Sequence, residues 1–390
     1  MTLCYVGLDV GKERHWAVVL DQTGAELLNR RVANDEAALR GLIDEVAALA
    51  HEPLWALDMA NGPATLALAL LEECGALCVY LPGHAVKASR RAFAGEGKSD
   101  RIDARLIAEN ARLRRDLTPL AATRGDADLR VLLAWRDDLV AERTGKLNRL
   151  REHLAAIAPA LERALDPKRE GVLLLLSRWQ TPTQLRRTGE RRLAAALRRA
   201  GAYTPERLAA RALAAARAQS VRLPGEALNA ARVAVLAVEL LELRRQTKRL
   251  DSEIAALYAA RPEAAIVTSL PGFGVTLGAR LACLLGEGQR FASADKLAAY
   301  AGLAPVACDS GKRSGVRHRA RGGNRALKTV FYQAAFASLS HPASRAFYER
   351  KRREGKKHHQ ALLALARRRV SVLYAMLRDG ALYDPSLSSA

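Results

Sequence analysis

The stretch LCYVGLDVGK, residues 3–12, is an apolar run that ends in a carboxylate and a glycine-containing turn. Such a run predicts a buried β-strand with Asp9 near its carboxyl end. Two more strand patterns follow along the chain, HWAVVLDQTG from residue 15 and ELLNRRVAN from residue 26. Because an unpaired carboxylate in an apolar strand is costly, Asp9 is a candidate functional residue.

Strand and helix patterns then alternate up to about residue 118. NDEAALRGLIDEVAALA, with Asn34 as its expected N-cap, predicts a helix, and PLWALDMA predicts a fourth strand that carries Asp58. A second helix, a fifth strand and a third helix follow as GPATLALALLEECG, LCVYLPG and GKSDRIDARLIAEN. This element order is that of an RNase H-like sheet, although strand–helix alternation alone allows other α/β folds.

The third helix opens with an unusual concentration of charge. Ser99 or Asp100 makes a good N-cap, and acids in a first turn suit the helix dipole, so capping alone would account for them. Yet Asp100 and Asp103 stand three positions apart, which places both carboxylates on one face of the helix. The flanking cations are Lys98, Arg101 and Arg105.

These acids complete a set that phosphodiester chemistry requires. On an RNase H-like sheet, carboxylates on the first strand, at the end of the fourth strand and on a late helix hold Mg²⁺, which polarises a phosphate. Each acid taken singly could be a turn or cap residue, but four at the appropriate positions favour a metal site. The predicted Mg²⁺ ligands and catalytic acids are Asp9, Asp58, Asp100 and Asp103.

The rest of the chain has a helical texture. Apolar residues from Leu147 to Leu161, and from Val233 to Leu257, keep a 3-4 spacing that predicts a coiled-coil seam, within one chain or between two. Between them, residues 181–219 form an Ala/Arg-rich insert, whose arginines would contact a polyanion or form a solvated face. We predict a helical coiled-coil region over residues 119–260.

The last part, residues 261–390, is predicted to be mostly helical. IVTSLPGFGVTLGARLACLLG, residues 266–286, predicts a helix-hairpin-helix-like segment whose Pro-Gly-Phe-Gly turn could present backbone N–H groups to a phosphate. VACDSGKRSGVRHRARGGNRALKTVFYQAAF, from residue 306, predicts a loop dense in Gly and Arg that leads into a helix.

Charge is distributed unevenly along the chain. The net charge is +21, but residues 1–100 carry 9 Lys/Arg against 14 Asp/Glu, whereas residues 310–369 carry 17 against 2. Solubility would not need this asymmetry, whereas a polyanion lying across the second half would. Aromatic residues make up 5% of the chain, so phosphate backbones of duplex or structured nucleic acid are the expected ligands rather than stacked bases.

Several classes of protein are disfavoured. No uninterrupted apolar run has membrane-spanning length, and Met1 leads directly into a strand pattern rather than a signal peptide, so we expect a cytoplasmic protein without a membrane partner. The five cysteines are odd in number and scattered. Cys74 and Cys78 lack a second pair of ligands, which disfavours a zinc site.

Four strings, in combination and order, resemble the DEDD transposases of insertion sequences, the "one-hundred-and-ten" class of bridge-RNA-guided recombinases. YVGLDVGKE and YLPGHAVKASRRAFAGEGKSDRIDARLIAE resemble its RuvC-like DEDD domain, and the predicted span of that domain is residues 1–118. LPGFGVTLGARLACLLGEGQRFASADKLAAYAGLAPVACDSGKRS and GGNRALKTVFYQAAF resemble its transposase domain. The family commonly has Glu-x-x-Gly at its second acid, whereas this chain has Asp58 followed by Gly62.

The resemblance implies a nucleophile as well as a metal site. In this family a serine of the transposase domain attacks the scissile phosphate and forms a phosphoserine, while the DEDD site and Mg²⁺ assist. The matching residue is Ser310 in CDSGKRSG, and Ser314 is its competitor; a turn serine in a basic loop is the alternative interpretation. The predicted nucleic-acid contacts are Lys98, Lys312, Arg313, Arg317, Arg319, Arg321 and Arg325.

We therefore predict a transposase that excises and inserts an insertion sequence. Its expected partners are donor and target double-stranded DNA, a structured bridge RNA and further copies of itself, as a dimer to tetramer joined partly through the helical middle. One alternative is a RuvC-like nuclease of the Holliday-junction-resolving type, with the same four acids and no serine nucleophile. The other is a non-catalytic nucleic-acid-binding protein whose acids only cap helices.

Overall fold

The structure of the protein, a computed structural model, describes residues 3–50, 52–59, 62–81, 83, 86, 89, 99–114, 117–119, 124–285, 291–307, 317–318 and 322–385. The chain divides into two compact units. Residues 1–127 with 285–292 form the first unit, and residues 128–284 with 293–390 form the second. The finer division at residues 118 and 260 stays a prediction.

A mixed sheet forms the centre of the first unit. Its strands are β1 (Leu3–Asp9), β2 (Arg14–Leu20), β3 (Glu26–Ala33), β4 (Glu52–Leu57), β5 (Leu77–Tyr80) and β6 (Thr118–Pro119). The strand order is β3-β2-β1-β4-β5-β6. β1 to β3 are antiparallel, β1, β4 and β5 are parallel, and the two-residue β6 is antiparallel to β5. The five predicted strands are all present, and their order is consistent with an RNase H-like sheet.

Helices cover both faces of this sheet. They are α1 (Glu36–Leu49), α2 (Thr65–Glu73), which follows a short 3₁₀ turn at Gly62–Ala64, and α3 (Asp100–Leu113). The alternation of β1 decides which helix covers which face: Val6 and Leu8 pack with α1 and α2, whereas Tyr5 packs with α3. Since β1 is buried from both sides, its sequence is a continuous apolar run rather than an alternating one.

The expected cap of α1 is wrong by one residue. The side chain of Asp35, and not that of Asn34, accepts the hydrogen bond from the Ala38 N–H at 2.9 Å. Asn34 instead donates to the main-chain oxygens of Lys12 and Pro63, at 3.1 and 3.2 Å. It thereby joins the β1–β2 turn to the segment before α2, a contact that connects residues distant in sequence.

The second unit is built on two long helices, α4 (Arg124–Ile157) and α10 (Glu226–Ala259). Two ion pairs join them, between Arg136 and Asp251 at 2.5 Å and between Lys146 and Glu239 at 2.6 Å. Residue numbers rise along one helix as they fall along the other, so the two helices lie antiparallel.

The predicted seam of α10 is occupied by α4 of the same chain. Its buried residues are Val233, Leu236, Leu240, Leu243, Thr247, Leu250 and Ile254. Leu243 and Leu250 pack with Leu139 of α4. The last predicted position is wrong by one residue, because Tyr258 is buried whereas Leu257 is 41% exposed. Because α4 of the same chain covers this face of α10, the face is not available to bind a second copy of the protein. Oligomerisation stays a prediction, and the α10 seam does not support it.

Replacing Leu243 by Asp tests where this seam pairs. We expect the free energy of unfolding of the second unit to fall by about 3–5 kcal/mol, because the change removes a buried side chain and adds a buried charge. Leu257→Asp on the same helix is the control, expected to cost less than about 1 kcal/mol. Urea unfolding measures both. An unchanged unfolding midpoint with a halved mass by light scattering would instead show pairing between chains.

Five shorter helices connect α4 to α10, and the Ala/Arg-rich insert is helical as predicted. They are α5 (Pro159–Ala164), α6 (Glu170–Leu176), α7 (Pro182–Thr188), α8 (Glu190–Arg199) and α9 (Pro205–Arg217). Their buried leucines and alanines share one core with the facing ends of α4 and α10. This insert is therefore a packed part of the second unit rather than an isolated linker.

In its described residues, the C-terminal part is mostly helical and contains one antiparallel pair of two-residue strands. Its elements are α11 (Ala264–Ser269), α12 (Val275–Leu285), α13 (Ala294–Tyr300), β7 (Val306–Ala307), β8 (Arg317–His318), α14 (Arg325–Ala337), α15 (Pro342–Arg353) and α16 (His358–Asp379). The two helices of the predicted helix-hairpin-helix-like segment are present as α11 and α12, but a Cβ on Gly272 of the turn between them would lie 2.1 Å from the Ala334 oxygen of α14. That turn is therefore used for packing. None of the described helices is both long and apolar enough to cross a membrane.

Candidate active site

Asp9 and Asp58 stand at the same edge of the sheet. Asp9 is the last residue of β1, and Asp58 directly follows β4. β1 and β4 are neighbouring parallel strands in which Leu8 pairs with Leu57. The next residues, Asp9 and Asp58, therefore stand side by side on backbones that are about 4.8 Å apart. Leu8 and Leu57 pack with α1 and α2. By alternation, the next residue of each strand points to the other face, where α3 lies.

Helix α3 approaches this face closely because Gly7 has no side chain. A Cβ on Gly7 would lie 2.1 Å from the main-chain oxygen of Ala104 and 2.5 Å from the main-chain nitrogen of Ala108. The helix backbone therefore rests directly on the backbone of β1. Ser99 caps the helix by accepting a hydrogen bond from the Ile102 N–H at 3.4 Å. The stretch GKSDRIDARLIAEN, residues 97–110, can therefore both begin a helix and contribute to a metal site. Ser99 is the cap, so capping does not require the carboxylate of Asp103.

The environment of Asp58 favours a bound cation. Burial raises the pKa of Asp58, the negative charge of Asp103 adds to the rise, and main-chain hydrogen bonds at Val10 and Asp58 act in the opposite direction. Its Oδ1 atom is buried and has no hydrogen-bond partner. A bound cation would offset the repulsion between Asp58 and Asp103 and would give the Asp58 Oδ1 atom a partner. Carboxylate oxygens are the ligands that Mg²⁺ prefers.

Asp9 and Asp100 share a cavity of about 450 Å³ beside the β1–β2 turn. Its cationic lining consists of Lys12, Arg14 and Arg31. The Arg31 guanidinium lies over the Trp16 ring at 4.9 Å, and the Trp16 Nε1 donates to Asn29 Oδ1 at 2.6 Å, so the wall of the cavity is ordered by its own contacts. Cations beside carboxylates suit a phosphodiester that must sit next to a metal ion.

Two of the three cations expected from the sequence, Arg101 and Arg105, do not line this cavity. Arg101 and Arg105 of α3 face Glu26 of β3, at 3.8 and 3.6 Å, and so belong to the far side of the helix. Sequence spacing does not reveal Lys12 and Arg14, because Lys12 lies in the β1–β2 turn and Arg14 begins β2, so their positions depend on strand pairing. The third expected cation, Lys98, lies outside the described residues.

His15 is a further residue that the sequence did not indicate. It is buried, and its Nδ1 accepts a hydrogen bond from the Gly11 N–H at 3.3 Å, which fixes the turn that follows Asp9. Burial lowers the pKa of His15, and the side chain of Asn34 acts in the opposite direction. A lone histidine in a strand carries no pattern that distinguishes this role from ordinary packing.

The two acid pairs do not form one compact metal cage in this conformation. Among the described residues, no three His, Cys, Asp or Glu side chains lie close enough together to hold a single ion. Asp58 is linked electrostatically to Asp103, and Asp9 shares a cavity with Asp100. Convergence of all four carboxylates on common ions stays a prediction. Cys74 is exposed and Cys78 is buried.

The predicted nucleophile lies outside the described residues, as do Ser314, Lys312, Arg313, Arg319 and Arg321. The residues on either side are defined: Ala307 of β7 pairs with Arg317 of β8. Arg325 is exposed at the start of α14, whose cap Asn324 accepts from the Leu327 N–H at 3.0 Å. The role of Ser310 stays a prediction.

Replacing Gly7 by Ala tests the contact between α3 and β1. We expect a loss of about 1–3 kcal/mol of stability, because the added methyl group forces the helix backbone away from the strand. Gly41→Ala is the matched control: Gly41 lies in α1, and no atom lies within 4 Å of the point where its methyl group would stand, so this change is expected to be neutral or stabilising. Thermal unfolding measures both, and equal melting temperatures for Gly7→Ala and wild type would contradict the close approach.

Comparison with known proteins gives matches in both parts of the chain. Residues 6–159 match the DEDD transposases of IS110, and residues 264–349 match a family described as transposase IS116/IS110/IS902. The chain is 45% identical to the 44.8 kDa protein of insertion element IS116 from Streptomyces clavuligerus, over 98% of this chain and 96% of that protein. It is 46% identical to the 42 kDa protein of IS900 from Mycobacterium paratuberculosis, over 99% and 98%. A pilin gene-inverting protein of Moraxella lacunata is 32% identical over 35% of this chain and 44% of its own length.

Proposed function

Because this chain belongs to the IS116/IS110/IS902 family of transposases, we propose that it excises and inserts an insertion element by Mg²⁺-assisted cleavage and a phosphoserine intermediate. One observation carries the metal part of the proposal. Asp58 directly follows β4 and lies beside Asp9, its Oδ1 is buried without a partner, and the charge of Asp103 acts on it. Neither packing nor capping requires such a costly arrangement.

The four acids would hold the metal in an RNase H/RuvC-like domain. Asp9, Asp58, Asp100 and Asp103 offer only hard oxygen ligands, which fit Mg²⁺. When bound, the ion polarises the scissile phosphate and stabilises the entering and leaving oxygens. Lys12 and Arg14 would bind the neighbouring phosphates of the strand. His15 would keep the β1–β2 turn, and with it Asp9, in position.

Ser310 would be the nucleophile. Its Oγ would form a bond to phosphorus as the bond from phosphorus to one deoxyribose oxygen breaks, so that one strand end leaves as a hydroxyl. The other end would remain attached to the protein as a phosphodiester of serine. The local sequence supports this role, since Lys312 and Arg313 stand close by to attract a phosphate.

The partners follow from charge and from the reaction. The excess of 17 Lys/Arg over 2 Asp/Glu in residues 310–369 supports a polyanionic partner, and the pilin gene-inverting relative supports recombination of DNA. We propose that a structured bridge RNA selects donor and target duplexes. Because strand exchange needs more than one active site, we also propose a dimer or tetramer.

A covalent-adduct assay tests the proposed function. Purified protein is incubated with labelled donor DNA, the structured RNA from the flanking sequence and Mg²⁺, and then denatured. We expect label to remain attached to the protein, and chelation of Mg²⁺ to abolish it. Cleaved DNA without any attached protein would favour the RuvC-like nuclease, which uses the same acids without a serine. Binding without cleavage under all conditions would favour the non-catalytic alternative.

A further inference from the structure

A cleft in the second unit has more cations than acids in its lining. A groove of about 630 Å³ runs along residues 164–172 and 201–211, and a cavity of about 390 Å³ adjoins it. Lys168 and Arg244 line both spaces, which are therefore neighbours, and together we call them the insert cleft. The cleft is formed by the helical middle of the chain and not by the 310–369 segment, where the sequence concentrates its charge.

The cations of the insert cleft outnumber its acids. Seven Lys/Arg and two acids line it. The acids are already engaged: Glu170 pairs with Arg244 at 3.1 Å, and Asp166 lies 3.7 Å from Arg151. The remaining cations therefore present uncompensated charge to the cleft, which favours a ligand with repeated negative charges.

Three of those cations are placed to bind such a ligand. Lys168, Arg169 and Arg207 are exposed on the lining, and in the part of the chain that the structure describes they form no ion pair with an acid. In the adjoining cavity, the Nε atom of Arg143 is buried without a hydrogen-bond partner. A buried guanidinium N–H lacking an acceptor is unfavourable, and a phosphate oxygen would satisfy it.

An aromatic ring stands at the edge of the same groove. Tyr203 lines it and is 93% exposed, so its ring is hardly used in packing. The next residue, Thr204, has a φ of +79°, the single positive φ among the described non-glycine residues. This conformation costs about 1–3 kcal/mol in a β-branched residue, and the residue that adopts it directly follows Tyr203. An exposed ring beside cations is the arrangement that binds unpaired nucleotides, by stacking on the base while the cations bind phosphate.

We propose that the insert cleft binds a single-stranded stretch of nucleic acid, with a base stacked on Tyr203 and the flanking phosphates on Lys168, Arg169 and Arg207. Duplexes are excluded from the stacking part, because their bases already stack on one another. The chemistry is common to a loop of folded RNA and to a separated DNA strand. The proposal does not rest on the cleavage mechanism, since the residues of the insert cleft are separate from the four candidate metal ligands, Asp9, Asp58, Asp100 and Asp103.

The test compares two charge-matched double variants and two ring variants of the full chain. Fluorescence anisotropy measures binding of a labelled RNA hairpin with a loop of unpaired bases, a single-stranded DNA and a duplex DNA. We expect Tyr203→Ala to weaken binding of one or both single-stranded probes by roughly 5- to 100-fold and to leave duplex binding unchanged. Tyr203→Phe should bind like wild type, since it keeps the ring.

The charge variants separate a site from general attraction. Lys168→Gln with Arg207→Gln removes two cations of the cleft, and Arg191→Gln with Arg192→Gln removes two exposed cations of α8 that do not line it. We expect only the first pair to weaken the single-stranded probes by more than about tenfold, beyond the effect of net charge. Whichever probe loses affinity identifies the ligand as RNA loop or DNA strand. Equal losses in both pairs, or an unchanged affinity in Tyr203→Ala, would overturn the proposal. All these residues are exposed, so unfolding should not interfere, and the assay requires no cleavage.

Discussion

Replacing Asp58 by Asn is expected to abolish Mg²⁺-dependent cleavage and, at the same time, to stabilise the metal-free protein. The loss of activity should be on the order of a thousandfold, because a metal ion contributes several kcal/mol to the transition state and each 1.36 kcal/mol is a factor of ten. The gain in stability follows from burial, which raises the pKa of Asp58 with help from the Asp103 charge. An amide of the same shape carries no charge to bury.

The pH dependence of this gain has a definite sign. A carboxyl whose pKa is higher in the folded than in the unfolded state favours folding when it is protonated, and this contribution is lost as pH rises through the folded pKa. Wild type therefore loses stability over that range relative to Asp58→Asn, and the difference in melting temperature should grow with pH. Added Mg²⁺ should raise the melting temperature of wild type at neutral pH and should do less at acid pH, where protons compete for the carboxylate.

Asp44→Asn is the control for the Asp58 experiment, because Asp44 is an exposed acid of α1 in the same unit. It should alter neither cleavage nor the response to Mg²⁺. The proposal for Asp58 fails if Asp58→Asn melts below wild type without metal, or if it still cleaves at the wild-type rate. A second ligand can be checked in the same way with Asp103→Asn, which should also lower the pKa of Asp58 by removing a neighbouring charge.

Ser310→Ala is expected to lose cleavage by a factor on the order of 10⁴–10⁶, the scale seen when a serine nucleophile is removed. Binding of RNA and DNA should be retained, because the hydroxyl adds little to affinity where neighbouring cations bind phosphate. The covalent adduct should disappear together with cleavage. Both losses share one cause, the missing Oγ that would attack phosphorus.

Ser314→Ala provides the matched control, since Ser314 lies in the same basic segment four residues later. It should cleave and form the adduct like wild type. Mass spectrometry of a protease digest locates the phosphoserine and decides between the two serines directly. An adduct at Ser314, or full cleavage by Ser310→Ala, would make the four-acid nuclease the better explanation of the first unit.

Local patterns predicted those parts of the fold that depend on neighbours in sequence. The apolar run ending in Asp9 is β1, and the 97–110 stretch begins a helix at Asp100 with Ser99 as its cap. The sequence pattern places the cap of α1 at Asn34, one residue before the actual cap, Asp35, because both residue types are good caps. What excluded Asn34 was its contact with the oxygens of Lys12 and Pro63, which sequence spacing does not reveal.

Long-range pairing explains the remaining differences. Helical spacing correctly identified one face of α10 as apolar, but a periodic face does not specify its partner, and α4 of the same chain covers it. Arg105 stands two positions after Asp103 in the sequence, yet its guanidinium pairs with Glu26 of β3, because α3 packs across that part of the sheet. Arg31 reaches the candidate site only because β3 pairs with β2, which brings it over Trp16.

The contact at Gly7 also limits how the candidate site could be switched on and off. At Gly7 no side chain separates the backbones of α3 and β1, so the helix has little room to slide or roll across the strand there. Asp100 and Asp103 can then leave their positions if the first helical turn frays. This local opening is resisted by the Ser99 cap, by the hydrogen bond from the Asp103 N–H to the Ser99 oxygen and by the ion pair between Arg101 and Glu26. Any control over when the candidate site is active would therefore act by unfolding or stabilising that first turn. It would not act by a hinge movement of the whole helix.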